Sequence, residues 1–530
     1  MRGPVGLANA LMKQAWIFLM AGAVMLNAAE WNQWRGADRN GLVTDKTPLR
    51  TEFDETGPEQ LWQSEEIPSD DDGGHGSLVV SGNRIYMGIV WHLDVPSKQR
   101  EINELTPRRL GFRNISDKAL VEKMEQARVN LNPRLRGAKL DEWADNWVKE
   151  NLDAKLAQSL SGWVKGRFKK GKAAVPYAEL VKVSKKVGTT FESDAAFKAW
   201  IKEENFSELA ADQIIKVVPS SVRQAKDVVV CIDGNTGKTL WRAEAPGEPT
   251  GRKSSSTPSV VDGKVFAAGS RHAYCVDAKS GKTLWSTELP GKGTASSFLV
   301  HGDKAFIMAG KLVALDVETG KELWRANELS ASNSSPVIWE EQGKVRLIVN
   351  ARSNVSCLDP VTGEILWTTQ GGGESTPVVV GDWLVAYSRQ EKIGLAGYKL
   401  SSEGAEMVWN QALEARRTQS TPVIFEGHVY FAGGENQMCV ELASGKVKWH
   451  EKRKCTISSP LVADGKFIVL EKNGSDLVML KASPEAHQEL AKTRVKAMWC
   501  PSPVVSNGRL FVRKSNGVVC YNLASKLVVP

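Results

Sequence analysis

Three stretches, CIDGNTGKTLW (residues 231–241), CVDAKSGKTLW (275–285) and ALDVETGKELW (314–324), write one pattern again and again. An Asp opens each turn: Asp233, Asp277, Asp316 and the related Asp359 can accept hydrogen bonds from backbone N–H groups two residues on. A Gly four positions later supplies the positive φ that the turn needs. Upstream of each turn stands a small-polar lead running into an apolar strand, as in SSTPSVV (255–261), SSPVI (334–338), STPVVV (375–380), STPVI (420–424), SSPLV (458–462) and PSPVV (501–505). A second strand follows each lead, and every piece is short and bounded by Gly, Asp or Asn, the signature of chained hairpins.

Counting the recurrent indoles gives eight units: Trp62, Trp241, Trp285, Trp324, Trp367, Trp409, Trp449 and Trp499. Eight leads match them, near Ser77, Ser256, Ser296, Ser335, Thr376, Thr421, Ser459 and Ser502. Four strands per unit predict an all-β chain, an eight-bladed β-propeller of four-stranded antiparallel blades. A flat indole on each outer strand would wedge between neighbouring blades and bury on the order of 200 Å². Cys231, Cys275, Cys357, Cys439 and Cys520 share one place in the repeat, so they read as small buried residues rather than disulfide partners. Cys455 and Cys500 have no assignment from the pattern. The final unit, GVVCYNLASKLVVP (517–530), lacks the Gly and the Trp, while EQLWQSEEIP (59–68) is an orphan outer strand. The N-terminal segment is therefore expected to close the ring, with KLVV (526–529) as the rival for that slot.

The 530 residues divide into 1–29, a signal peptide; 30–58, a lead-in; 59–96, the closing strand and first half of the first blade; 97–226, an insertion; and 227–530, the other blades. The leader has Lys13, the apolar run 15–26 and small residues at Ala28 and Ala29. Its apolar run falls short of the roughly 20 residues that span a bilayer. A periplasmic or secreted protein with no transmembrane segment in the mature chain is expected. No Cys follows the run to carry a lipid.

The 97–226 segment is an α-helical insertion in the first blade by its periodicity, with Ser116 a candidate cap. Strand alternation puts it at the same end as the connectors from each outer strand to the next inner strand. It carries 26 Lys and Arg against 17 Asp and Glu, a net of +9 in a chain of +8. That charge reads either as a solvated helical surface or as a patch for an acidic polymer, a membrane surface or an acidic protein. No nucleic-acid motif is present, and no nucleic-acid partner is expected.

Chemistry is sparse. DDDGGHGS (70–77) places His75 beside three carboxylates, either a cation loop or a solvated acidic turn. The seven His show no HxH or HExxH, and no G-x-S-x-G is present. Arg252, Lys253, Arg416, Arg417 and Arg453 fall in connectors and are candidate contacts at the channel mouth, as is His75.

The D-x-x-[ST]-G-K-x-L-W repeat, over about 59–95 and 226–530, resembles the PQQ-repeat propeller family. That family includes the outer-membrane assembly factor BamB and the pyrroloquinoline-quinone alcohol dehydrogenases. WNQWRGADRNGLV (31–43) is similar to the lead-in of its secreted members. The resemblance implies an exported, non-catalytic scaffold of the cell envelope, BamB-like, with an envelope protein partner and no cofactor. The alternative it implies is a PQQ- and calcium-dependent oxidoreductase. Glu435 and Asn436 in GGEN (433–436) would then be the acid/amide pair at the cofactor, a stretch that a tight turn explains equally well. The family's enzymes also use a vicinal disulfide, which this sequence lacks.

Overall fold

The computed structural model describes residues 31–250, 254–293, 295–331, 333–414, 417–455 and 457–525. The leader, Arg252, Lys253, Arg416 and KLVV lie outside them. By its contacts the described chain forms two compact units.

The larger unit is built from eight four-stranded antiparallel sheets. Sheet 1 has the order Val79–Ser81, Arg84–Pro96, Ser221–Asp233, Thr239–Gly247. Sheets 2 to 7 follow in chain order over 259–288, 299–326, 337–370, 378–411, 423–452 and 461–494, each a simple meander. Sheet 8 takes three strands from 504–522 and its outer strand, Gln60–Gln63, from the other end of the chain. There Trp62 stands opposite Cys520 and Gln63 opposite Val519.

The small-polar leads join the sheets into a closed circle. In each lead one hydroxyl accepts from the main-chain N–H at the same position of its neighbour. Ser77 N donates to Thr257 Oγ1 (2.9 Å), Thr257 N to Ser297 Oγ (3.0 Å), Ser297 N to Ser335 Oγ (3.1 Å) and Ser335 N to Thr376 Oγ1 (2.9 Å). Thr376 N then donates to Thr421 Oγ1 (3.2 Å), Thr421 N to Ser459 Oγ (3.0 Å), Ser459 N to Ser502 Oγ (3.0 Å) and Ser502 N back to Ser77 Oγ (2.9 Å). The inner strands have no sheet neighbour on that side, so their N–H groups would otherwise be orphaned in the interior. Ser or Thr in every lead answers that need.

At the periphery the glue is the indole. Trp285 is buried, its Nε1 donates to Val317 O at 2.9 Å, and its face covers Gly320 in the turn of the next sheet. Trp62 docks likewise on Gly237, Trp324 on Gly363 and Trp409 on Gly445. Across the strand from each indole stands a small residue: Cys275 faces Trp285, Cys357 faces Trp367 and Cys439 faces Trp449. No disulfide joins the described cysteines, and burial pushes the thiols of Cys275, Cys357, Cys439 and Cys520 up to about 12. They are packing residues. The turn aspartates act locally: Asp316 Oδ1 accepts from Thr319 N (2.7 Å) and Oγ1 (2.6 Å), Asp233 and Asp277 do the same in their turns, and Asp359 Oδ1 accepts from Val361 N and Thr362 N.

Trp499 departs from the repeat. The outer strand of sheet 7, Glu489–Arg494, ends before it, and Ala491 occupies the slot opposite Met479. Bulk has changed sides of the pair, and the indole at 499, right by spacing alone, is free to lie elsewhere.

The lead-in stitches the sheets together. Trp31 exchanges hydrogen bonds with Val80 of sheet 1, and Val260 N of sheet 2 donates to Asn32 O. Arg39 donates to Phe298 O (2.5 Å) and Arg35 to Pro422 O (2.6 Å) and Pro460 O (2.9 Å), carbonyls that follow ring hydroxyls. Both guanidinium groups are buried, and desolvation brings their pKa values down to about 9, still well above neutrality.

The smaller unit covers Val90–Asp227 and Ala245–Pro249. It holds helices α1 (Leu105–Leu110), α2 (Lys118–Val129), α3 (Ala138–Asn151), α4 (Ala154–Lys170), α5 (Tyr177–Lys185), α6 (Asp194–Glu203) and α7 (Glu208–Val217). Asp117, not Ser116, caps α2 by accepting from Leu120 N, because its carboxylate stands three residues before that N–H. Phe197, Trp200 and Ile214 centre one apolar cluster, and Trp147, Val164 and Phe168 a second. Glu125 joins the helices, accepting from Arg128, Arg167 and Tyr177 N. No described helix is long and apolar enough to cross a membrane.

Candidate functional site

Side chains two residues apart on a strand or extended lead point to the same side. The residue two before each ring hydroxyl therefore faces inward with it, and this layer walls a cavity of about 410 Å³. Four of its polar members are Ser255, Asn333, Glu374 and Gln419, from sheets 2, 4, 5 and 6. Ile457 and Cys500, from sheets 7 and 8, supply an apolar side. His75 represents sheet 1, and the ring hydroxyls of Ser77, Ser297, Ser335, Ser459 and Ser502 also reach the lining. Trp34 and Trp499 add two indoles.

The polar wall is organised around Glu374. Its Oε2 accepts from Asn333 Nδ2 (3.0 Å) and from Gln419 Nε2, while Ser255 Oγ donates weakly to Asn333 Oδ1 (3.4 Å). Glu374 Oε1 has no partner among the described residues, and Gln419 Oε1 is buried without one. On the other side, His75 meets the Trp499 indole edge-on at 4.9 Å and pairs with Asp70 (2.9 Å). The Arg417 guanidinium lies 5.3 Å above the same indole. Arg513 clamps the DDDGGHGS loop, donating to Pro68 O, Ser69 Oγ, Gly73 O and Gly76 O. The loop is thus fixed by a buried cation; among the described residues no cluster of three or more His, Cys, Asp or Glu is placed to hold a metal.

Other expected site residues lie elsewhere. Glu435 sits at φ 66° in a hairpin turn, and Asn436 is buried beside it. The amide of Asn436 is consumed locally: Nδ2 donates to Gly434 O, and Oδ1 accepts from His450 Nε2 and Lys452 Nζ, each at 2.9 Å. That pair is a turn, not part of the cavity. Arg453 is engaged by Glu471 (2.8 Å) and Glu489 (3.1 Å) because it follows an outer strand flanked by acidic neighbours. Arg417 and Glu435 line a second pocket of about 260 Å³ with Lys454 and Lys472. Of the expected contacts among the described residues, His75 alone lines the main cavity. Asn333, Glu374 and Gln419 went unnoticed in the sequence, although their offset of two from each lead hydroxyl was there to be read.

Calcium takes 6–8 oxygen ligands at close range. The cavity offers one carboxylate, with amide nitrogens rather than oxygens turned toward it, and a single cysteine. These residues do not fit a calcium–quinone pair, and no step is derived through one.

A family model, PQQ_2, described as outer membrane protein assembly factor BamB, matches residues 225–351 and 351–529, more than half of the chain. The chain belongs to that family. Among curated BamB proteins, that of Yersinia pestis is 24% identical over 314 residues, covering 55% of this chain and 68% of its own length. That of Salmonella typhimurium is 23% identical over 180 residues, covering 31% of this chain, which spans only 44% of that relative. The crystal structure of BamB from Moraxella catarrhalis aligns with a TM-score of 0.46 at 18% identity, over 57% of this chain and 90% of that one.

Proposed function

We propose that the chain is an exported, periplasmic, eight-bladed PQQ-repeat propeller with a helical insertion at 97–226, and that it works as a non-catalytic scaffold in the assembly of outer-membrane proteins. Membership of the BamB family carries this reading. The rim supports it. On the outer strands the residue before the repeat indole is an exposed aliphatic: Leu61, Leu240, Leu284, Leu323, Leu366 and Val408 are 39% to 45% exposed. Each stands on a terminal strand whose far edge has no sheet neighbour. Unpaired edges bearing apolar side chains suit capture of an extended segment of an envelope protein by strand addition. The basic insertion adds a second surface for an acidic partner or membrane surface.

The test is photo-cross-linking in the native envelope from positions 240, 284 and 323, together with the level of folded outer-membrane β-barrels in cells lacking the chain. Cross-links to one envelope protein and a fall in folded barrels are expected. Barrels at wild-type level with no rim cross-link would reject the scaffold role.

A further inference from the structure

The walls of the central cavity differ from what ring closure requires. Ala295, in the same layer on sheet 3, lies outside the lining and shows that a small apolar residue satisfies the fold there. Asn333, Glu374 and Gln419 nevertheless stand on three consecutive sheets and bond to one another. Among the described residues, both bonds to Glu374 fall on its Oε2, and Gln419 Oε1 is buried without a partner. A buried acceptor without a partner costs free energy until a donor arrives. The ring hydroxyls accept from main-chain N–H groups, so their own protons remain to be donated at the cavity floor.

Opposite this polar wall stand Ile457, Cys500 and the indole of Trp499, the residue that left the repeat. The site thus pairs a flat apolar side with a side that both accepts and donates.

Charge narrows the ligand. Glu374 opposes an anion. Arg417, stacked on Trp499, opposes a cation at that face. What remains is a neutral molecule dense in hydroxyl groups with one apolar face. A cavity of about 410 Å³ falls in the range of small-molecule sites.

We infer that the central cavity is a binding site for a neutral saccharide, whose hydroxyls bond Glu374, Gln419 and the ring serines while its ring packs on Trp499. This inference concerns a site that the scaffold role does not use, so either can fail without the other.

The full mature chain is titrated with glucose, N-acetylglucosamine and cellobiose by calorimetry, alongside choline and citrate as a cation and an anion. Saturable heat with at least one saccharide is expected, with neither ion competing. Glu374→Ala and Gln419→Leu should each weaken binding by about tenfold or more, the loss of one bond to a buried partner. Trp499→Ala should do so as well and should remove the saccharide-induced change in indole fluorescence. If a variant misfolds, Glu374→Gln, which keeps size and one acceptor, reports instead, with its melting curve as the check. No heat with any saccharide overturns the inference. So does preference for choline or citrate, and so does saccharide binding that the cavity variants leave unchanged.

Discussion

Gly320 offers a direct measure of the indole glue. It lies at φ 70°, and a Cβ built there would stand 2.5 Å from the ring carbons of Trp285 and 2.8 Å from Thr287 Oγ1. Gly302, in a hairpin at φ 58°, has nothing within 4 Å of the same position. Left-handed backbone costs a side-chain-bearing residue about 1–2 kcal/mol, and that is the whole expected cost of Gly302→Ala. Gly320→Ala adds overpacking of about 1–3 kcal/mol, because neither indole nor neighbouring turn can recede freely. The assay is urea unfolding followed by far-ultraviolet circular dichroism on both variants, repeated in a Trp285→Leu background. There the extra cost at Gly320 should shrink to what Thr287 still imposes while that at Gly302 stays, giving a coupling of about 1–3 kcal/mol for the contacting pair alone. Equal costs at the two glycines, or additivity of Gly320→Ala with Trp285→Leu, would refute the wedge.

Deleting residues 59–64 should lower the melting temperature more than any single substitution here, since sheet 8 loses a strand and Trp62 together; an unchanged melting curve would show that another segment fills the slot. Trp285→Ala is expected to cost about 3–5 kcal/mol as a buried indole, whereas Trp499→Ala, at the cavity lining, should cost under about 1.5 kcal/mol; matched losses in thermal unfolding would return Trp499 to the wedge class. His487, bonded to Gln437 Oε1 at 2.8 Å, has its pKa lowered by burial and then by Arg453. The unfolded chain takes up that proton near the ordinary 6.5 and the folded one only at lower pH, so stability should fall as pH drops below 6.5. His487→Gln should flatten melting temperature against pH in that window, and an unaltered slope would assign the dependence elsewhere.

Much of the sheet architecture was legible because strand chemistry repeats it: a hydroxyl at each lead, a Gly in each turn, an indole on each outer strand. Period alone misled at Trp499, where distance along the chain matched but strand register did not, since Ala491 fills the pocket and Met479 supplies the bulk. The cavity was missed for a different reason. Connector arginines and the Glu435–Asn436 turn attracted attention as charged residues near loops, yet Arg453 and Asn436 are tied up by neighbours that only the folded chain brings close. Glu374 looked like filler in GGGESTP (371–377), since its importance lies in Asn333 and Gln419, 41 and 45 residues away.

The clasp of sheet 8 has a temporal consequence. Ser64 Oγ accepts from Val518 N across 454 residues of chain, so the chain must be made at least as far as that residue before the first strand finds its mate. Arg35 waits likewise for Pro422 and Pro460. During that interval the strand at Gln60–Gln63 stays unpaired while the middle sheets condense, a delay that favours slow, late-committing maturation. A ring whose first strand pairs with its last-made sheet stays open until that sheet exists.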